Sequence, residues 1–436
     1  AHMQLYQAAA RIERAAEGDW QQARDLLRGV EQTVNKMLNG PSAPSAMKGL
    51  FWWARTSQSP PSRSVIEGQR WRARTVRALA LNFEGYLDQQ QGRYAEAVVH
   101  YQAAAMLQRR LAMAGLAPTL TNLAYTMALM GQFENARLTA QEAERWARYS
   151  GKEYVLALAL NARALVEEYD NHPRDALRYA ERALKIAEGL RAPRVRGLLY
   201  LTRARAHRYL LLAEGEGEHE PQILDEVLKE VNQAVNLLKN NPPDRVTALI
   251  ERGCIFREIA RRHYSQQRET EVVRSARKSQ RDLERAAALA GALDLPDQQA
   301  LAWTHLGWLW YHTGQVEEAQ RALQGAYASI PEDYVLPTGG TVPPMARDGR
   351  KEEACLPFWG TLGQAEMLQA YIDLDQAPAA VSLEEQNEKL DDAVRHITLS
   401  LAYHEQIADE HVQMTRAEGR LHRRILQDRL SIAGLH

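Results

Sequence analysis

The feature that most constrains this chain is a small residue that returns about every forty positions inside an apolar stretch of helical period. Gly85, Ala124, Ala164, Ala204, Gly253, Gly307 and Gly363 stand 39, 40, 40, 49, 54 and 56 residues apart. A second small residue follows each of them, at Ala104, Ala143, Ala183, Ala234, Ala287, Ala326 and Ser400; in four units it lies 19 positions after the first. Two antiparallel helices joined by a short turn can approach closely only where side chains are small. Turn signals fall between the marks, at Gln91-Gly92-Arg93-Tyr94, Met130-Gly131-Gln132-Phe133, Asn171-His172-Pro173 and Thr313-Gly314-Gln315-Val316. Each sets a Gly or Asn where a helix must stop. Alternating β-branched runs are lacking, while Ala, Leu, Arg, Glu and Gln dominate, as in good helix formers. The expectation is an all-α chain of paired helices.

Several units reach a known family. Trp303-Thr304-His305-Leu306-Gly307-Trp308-Leu309-Trp310, continued through Gly314, Ala319, Leu323 and Ala326 to Pro331, resembles the tetratricopeptide (TPR) pattern almost position by position. Leu81, Gly85, Gly92, Tyr94, Ala97, Tyr101 and Ala104 match nearly as well, as do Leu120, Leu123, Ala124, Gly131, Phe133, Ala136, Ala140 and Ala143. Ala164, Ala176, Ala180 and Ala183 are a weaker unit in register. The resemblance spans roughly residues 64–408 and implies a right-handed superhelical solenoid of antiparallel helix pairs. The long period resembles, in style, the TPR sensor arms of bacterial signal-transduction ATPases (STAND proteins). That likeness implies a parent NTPase or effector domain outside this chain. Ala1-His2-Met3 reads as a cloning scar, consistent with a piece of a longer protein.

The expected organisation has four parts. Residues 1–63 form an N-terminal helix pair and a Pro/Ser-rich linker, with Phe51-Trp52-Trp53 as a packing plug. Residues 64–330 hold the repeats, interrupted by the acidic loop 213–221. Residues 331–357 form a long loop with five prolines, functional or merely tolerated. Residues 358–436 form a further pair and a capping helix, His411 to Arg429.

In TPR arrays the first helix of each pair lines the concave side. The resemblance therefore implies a ligand-binding stripe at Asn82, Tyr86, Asn122, Tyr125, Asn161, Arg205, Arg208, Glu251, His305 and Trp308. Asn offers both donor and acceptor to a peptide backbone, Tyr and Trp give rigid contact area, and Arg receives carboxylate or phosphate bidentately. The plainer reading is that these residues satisfy one another across neighbouring helices. No lysine stands in the stripe, so the Lys/Asn carboxylate clamp of chaperone-binding TPR proteins is not expected.

Chemistry is not signalled. No Gly-x-x-x-x-Gly-Lys-Ser/Thr loop, no strand-borne Gly-x-Gly-x-x-Gly and no His-Glu-x-x-His occurs. The pairs His305/His312 and His404/His411 are of a kind that helix surfaces carry by chance. Cys254, beside Gly253, reads as a buried small hydrophobe, and Cys355 lies in the long loop without a base nearby. The chain is expected to be no enzyme and to hold no cofactor or metal. Two cysteines cannot make a disulfide framework, and neither a signal peptide nor a run near the roughly 20 apolar residues of a span occurs; these point to a cytoplasmic protein without membrane contact. The formal net charge of −1 makes nucleic acid an unlikely partner; the arginines from Arg274 to Arg285 and those of the tail are what such binding would use. The partner expected is a protein, peptide or small effector, the alternative being a scaffold for self-association or complex assembly.

Overall fold

A computed structural model describes residues 2–14, 18–39, 63–111, 115–214, 220–330, 356–380 and 382–407. The expected Phe51-Trp52-Trp53 plug, nearly all of the long loop with Cys355, the centre of the acidic loop and the tail helix fall outside these residues. Sixteen α-helices fill the described chain, with no strand among them. They are α1 (His2–Arg14), α2 (Asp19–Asn39), α3 (Arg63–Gln90), α4 (Tyr94–Arg110), α5 (Leu116–Leu129), α6 (Phe133–Ser150), α7 (Glu153–Tyr169) and α8 (Pro173–Ala187). There follow α9 (Pro193–Glu214), α10 (Glu220–Leu237), α11 (Pro242–Ser265), α12 (Glu269–Ala292), α13 (Pro296–His312), α14 (Val316–Ser329), α15 (Leu356–Gln376) and α16 (Leu383–Ile407). Consecutive helices pack as pairs and the pairs stack in order, a TPR-like solenoid. No described helix is long and apolar enough to cross a membrane.

The small marks are where the two helices of a pair touch. All seven first marks lie on odd-numbered helices from α3 to α15, and all seven second marks on their even-numbered partners. A Cβ added at Gly85 would stand 2.9 Å from the Tyr101 ring, and one at Gly253 would stand 2.7 Å from Leu283 Cγ. The second marks from Ala104 to Ser400 are fully buried or nearly so. Two of the closest seams also carry a polar tie: Ser279 Oγ donates to Gly253 O at 2.7 Å, and Ser400 Oγ to Gly363 O at 2.9 Å.

One turn recurs. Gly92, Gly131, Asn171, Gln267, Asp294 and Gly314 all have φ between +55° and +75°. In each case the next residue's N–H closes back onto the preceding helix, as from Gln132 to Met127 O at 2.9 Å and from Gln315 to Trp310 O at 2.9 Å. This left-handed stop satisfies helix-end carbonyls. Gly131 takes it without the roughly 1–2 kcal/mol penalty of a Cβ in that region. The turns at Gln267 and Asp294 use residues that sequence reading does not single out.

The stack winds tightly enough to meet itself. Around the α3–α4 turn, Gln91 Nε2 donates to Asp294 Oδ2 at 2.7 Å and the Tyr94 hydroxyl to Asp297 Oδ2 at 3.0 Å, across 203 residues. A Cβ at Gly92 would collide with the Phe358 ring at 2.9 Å. Accordingly one apolar core joins α1–α3 to α9–α13, through residues such as Leu27, Leu87, Leu201, Leu249 and Leu306. A second joins α4–α7 to α13, α15 and α16, through Leu120, Ala300, Phe358 and Tyr403. The N-terminal pair is thus part of the main core.

Gly253→Ala is expected to destabilise the chain by about 1–3 kcal/mol, the usual range for overpacking. Gly68→Ala, on α3 with nothing within 4 Å of the added atom, is expected to stabilise by roughly 0.5–1 kcal/mol. Urea unfolding of the two variants checks the opposite signs.

Candidate functional site: a pocket walled by six successive helix pairs

The winding turns the concave side into a pocket of about 190 Å³. Its wall takes Tyr86 from α3, Tyr94 from α4, Asn122 and Tyr125 from α5, Asn161 and Ala162 from α7, Arg194 and Arg205 from α9, Asp244 from α11 and Asp297 from α13. The first helices of six successive pairs therefore contribute. Five stripe residues meet here: Tyr86, Asn122, Tyr125, Asn161 and Arg205.

The other five lie elsewhere. Asn82 Oδ1 accepts from the Thr119 hydroxyl at 2.9 Å, across the α3–α5 seam. Arg208 and Glu251 pair with each other, with Nη2 to Oε2 at 3.0 Å. Arg257 Nη1 stands 3.0 Å from His305 Nδ1. Burial and the charges of Arg257 and Arg208 hold the His305 pKa well below its ordinary value, so the neutral ring accepts a hydrogen bond from Arg257. Trp308 packs edge-on to Tyr311 and Tyr371, with centroids 6.1 and 5.9 Å away. For these five the plainer sequence reading, mutual satisfaction between helices, describes the contacts observed.

Within the pocket most polar groups are engaged. Arg205 is salt-bridged to the buried Glu168 and lies 5.8 Å over the Tyr169 ring. Tyr169 in turn packs against Tyr125, with centroids 6.0 Å apart. Arg194 Nε donates to Asp244 Oδ2 at 2.6 Å. Burial pushes the Tyr86 phenol up to about 12, with Asp244 raising it and Arg194, its hydrogen-bond partner, lowering it. Gln89 Oε1, also in the wall, accepts from the Tyr101 hydroxyl at 3.0 Å. Two groups are less well matched. Asn161 is buried and its Oδ1 has no hydrogen-bond partner. Asp297 is pushed up to about 6 by burial, against hydrogen bonds from the Tyr94 hydroxyl, the Gln298 N–H and its own N–H.

Arg194, Asp244 and Asp297 are the charged pocket residues that the stripe missed. They stand in the first turns of α9, α11 and α13, nine or ten positions before the small mark of each helix. The signal was available: the inward stripe, continued two turns toward each helix start, runs through them.

Away from the pocket, Glu167, Asp170 and His172 bring ligand atoms within 4.8 Å of one another. Arg137 stands among them, its Nη2 3.0 Å from Glu167 Oε2 and salt-bridged to Asp170, and supplies the positive charge there. Cys254 is buried, and burial pushes its thiol up to about 11, which leaves it protonated and inert.

No family model matches the sequence, and no curated protein matches it. Among solved structures the chain is similar to a Rap protein complexed with competence and sporulation factor. The identity is 13%, covering 100% of this chain and 99% of that one, with a TM-score of 0.49. It is also similar to a signal transduction ATPase with numerous domains from Pyrococcus horikoshii that has a tetratricopeptide repeat sensor. There the identity is 12%, over 94% of this chain and 64% of that one, with a TM-score of 0.46. At these identities and scores the likeness says nothing of ligand or partner, which must be read from the pocket itself.

Folding raises the Asp297 pKa from the usual 3.8 to about 6. The ionised form is therefore penalised in the native state: the cost is absent below about pH 4, grows through pH 6 and is complete above it. Asp297→Asn is expected to be more stable than the parent at neutral pH by about 1–3 kcal/mol, a pKa unit being about 1.4 kcal/mol. The advantage should vanish near pH 4. Urea melts of both proteins from pH 4 to 8 check it; a difference independent of pH would contradict it.

Proposed function

We propose that this chain is a recognition module that takes a small effector or the end of an extended peptide in the pocket between α3 and α13. The observation that carries the reading is that six successive repeats wall one cavity, so that a single occupant touches all of them. The cavity is small beside the roughly 300–1,000 Å³ of drug-sized sites, and a helix about 10 Å across does not fit it. Phenols, amides and hydroxyls alternate with leucines along the wall, a lining that can both orient a ligand and exclude water from it.

The same geometry suggests how binding would be transmitted. The pocket is closed by contacts such as Tyr94 to Asp297, made between repeats far apart in sequence. A ligand that bridges the wall favours the wound arrangement over any looser one by its differential affinity for the two. In a sensor arm, that bias would reach an attached effector or NTPase domain as a change in the set of the superhelix. Non-enzymatic recognition in the cytoplasm, as expected from the sequence, accords with this reading. The scaffold alternative draws on exposed Val99 and Met106 of α4 and Leu138 of α6; concentration-dependent light scattering without ligand would favour it.

Screening the full chain by thermal melting against small-metabolite and pentapeptide panels is expected to find a stabilising ligand. At a hundredfold excess over Kd the gain is about 2.7 kcal/mol. Thr121→Trp, which fills the pocket, and Tyr125→Ala, which removes part of its wall, should each lose the effect while keeping the helical circular dichroism of the parent. A ligand that stabilises both variants as well as the parent would place recognition elsewhere.

A further inference from the structure

The pocket wall itself carries two arginines and two aspartates, but both arginines are taken by carboxylates other than Asp297 once Glu168 behind the wall is counted. Arg194 is matched by Asp244 at 2.6 Å, and Arg205 by the buried Glu168. Asp297 is the carboxylate left over. Its hydrogen-bond donors are the Tyr94 hydroxyl and two backbone N–H groups, and among the described residues no Lys, Arg or His forms an ion pair with it. A carboxylate offers about four lone-pair sites, so three donors leave room for a fourth. A second acceptor in the wall is also unused: Asn161 Oδ1, buried and without a donor. The phenol rings of Tyr94 and Tyr125 stand in the same wall, and the charge of Asp297 reaches Tyr125 closely enough to raise its pKa. Aromatic faces beside a carboxylate suit an organic cation.

With Glu168 counted, the site thus lacks one positive charge and at least one donor, and both have to come from the occupant. We propose that the pocket recognises a primary ammonium group and that Asp297 is its counter-ion. The inference rests on the pocket being the binding site. An ammonium carries three N–H donors and no acceptor, which matches a wall with acceptors to spare. A carboxylate or phosphate ligand would instead have to displace Asp244 or Glu168 from its arginine. The burial that penalises an unpaired Asp297 carboxylate is the same burial that strengthens a charge pair formed there. The ammonium could be the free end of a peptide or belong to a small amine.

The test uses the full chain at neutral pH and three probes: a lysine-free tetrapeptide pool with free N-termini, the same pool acetylated, and putrescine. Binding is read by calorimetry and by melting. The free-amine pool is expected to bind at least about tenfold more tightly than the acetylated one, as hydrogen bonds to a charged group do. Asp297→Asn, which keeps an acceptor for Tyr94, should erase that preference while melting no lower than the parent. Putrescine binding with no preference between the pools, lost in the same variant, would support the ammonium and assign it to a small amine. Equal binding of both pools without putrescine binding, or a preference that survives Asp297→Asn, would overturn the ammonium while leaving the pocket as the site. So would a failure of every amine probe while a neutral or anionic ligand still depends on an open pocket in Thr121→Trp. Amine binding that persists in Thr121→Trp would sink the pocket reading as well.

Discussion

The closeness of paired helices is the constraint on which this structure depends. At Gly85 and Gly253 a single added carbon would stand within 3 Å of the partner helix's side chains, inside any normal packing distance. Such seams leave little freedom in the spacing of a pair. Because consecutive pairs repeat nearly the same seam, small angular offsets accumulate in one sense and the stack curves. The left-handed turn stops, from Gly92 to Gly314, set where each helix ends and so keep the offsets uniform. Tight seams and uniform turns together bring the fourth helix back to the start of the thirteenth.

That return decides which stripe residues are available. Near the start of α13 the winding leaves a gap, and Tyr86, Asn122, Tyr125, Asn161 and Arg205 face it. Farther along the same stripe the helices converge, and Arg208, Glu251, Arg257 and His305 spend their polar groups on one another. Buried pairs of this kind contribute little net stability, yet losing one partner is costly. They hold the array in one winding.

The fold was legible because it is written in local terms. Small marks, turn residues and helical period lie within a few positions of each other, and all fourteen marks landed on the helices they implied. The pocket was legible only in part. Residues near each mark were found because the family pattern says which way they point. Arg194, Asp244 and Asp297 lie on the same stripe continued toward each helix start, but that this end of it faces a cavity depends on distant repeats being brought together, and no local pattern encodes that meeting. The same holds for Asn82 and Arg208: the stripe identifies their direction, but whether that direction ends in a cavity or in a neighbouring helix depends on the winding of the whole array. Gln267 and Asp294 show another limit, because their turns adopt positive φ without the glycine that usually announces it.

The contact between Tyr94 and Asp297 spans 203 residues, and this sets an order of events during synthesis. A nascent chain that has left the ribosome only as far as α12 possesses the seams of its early pairs, which fold from neighbouring sequence. It does not yet possess the wall that α13 completes. The cavity therefore comes into being only after α13 has emerged, and a ligand present during translation meets a receptor only from that point.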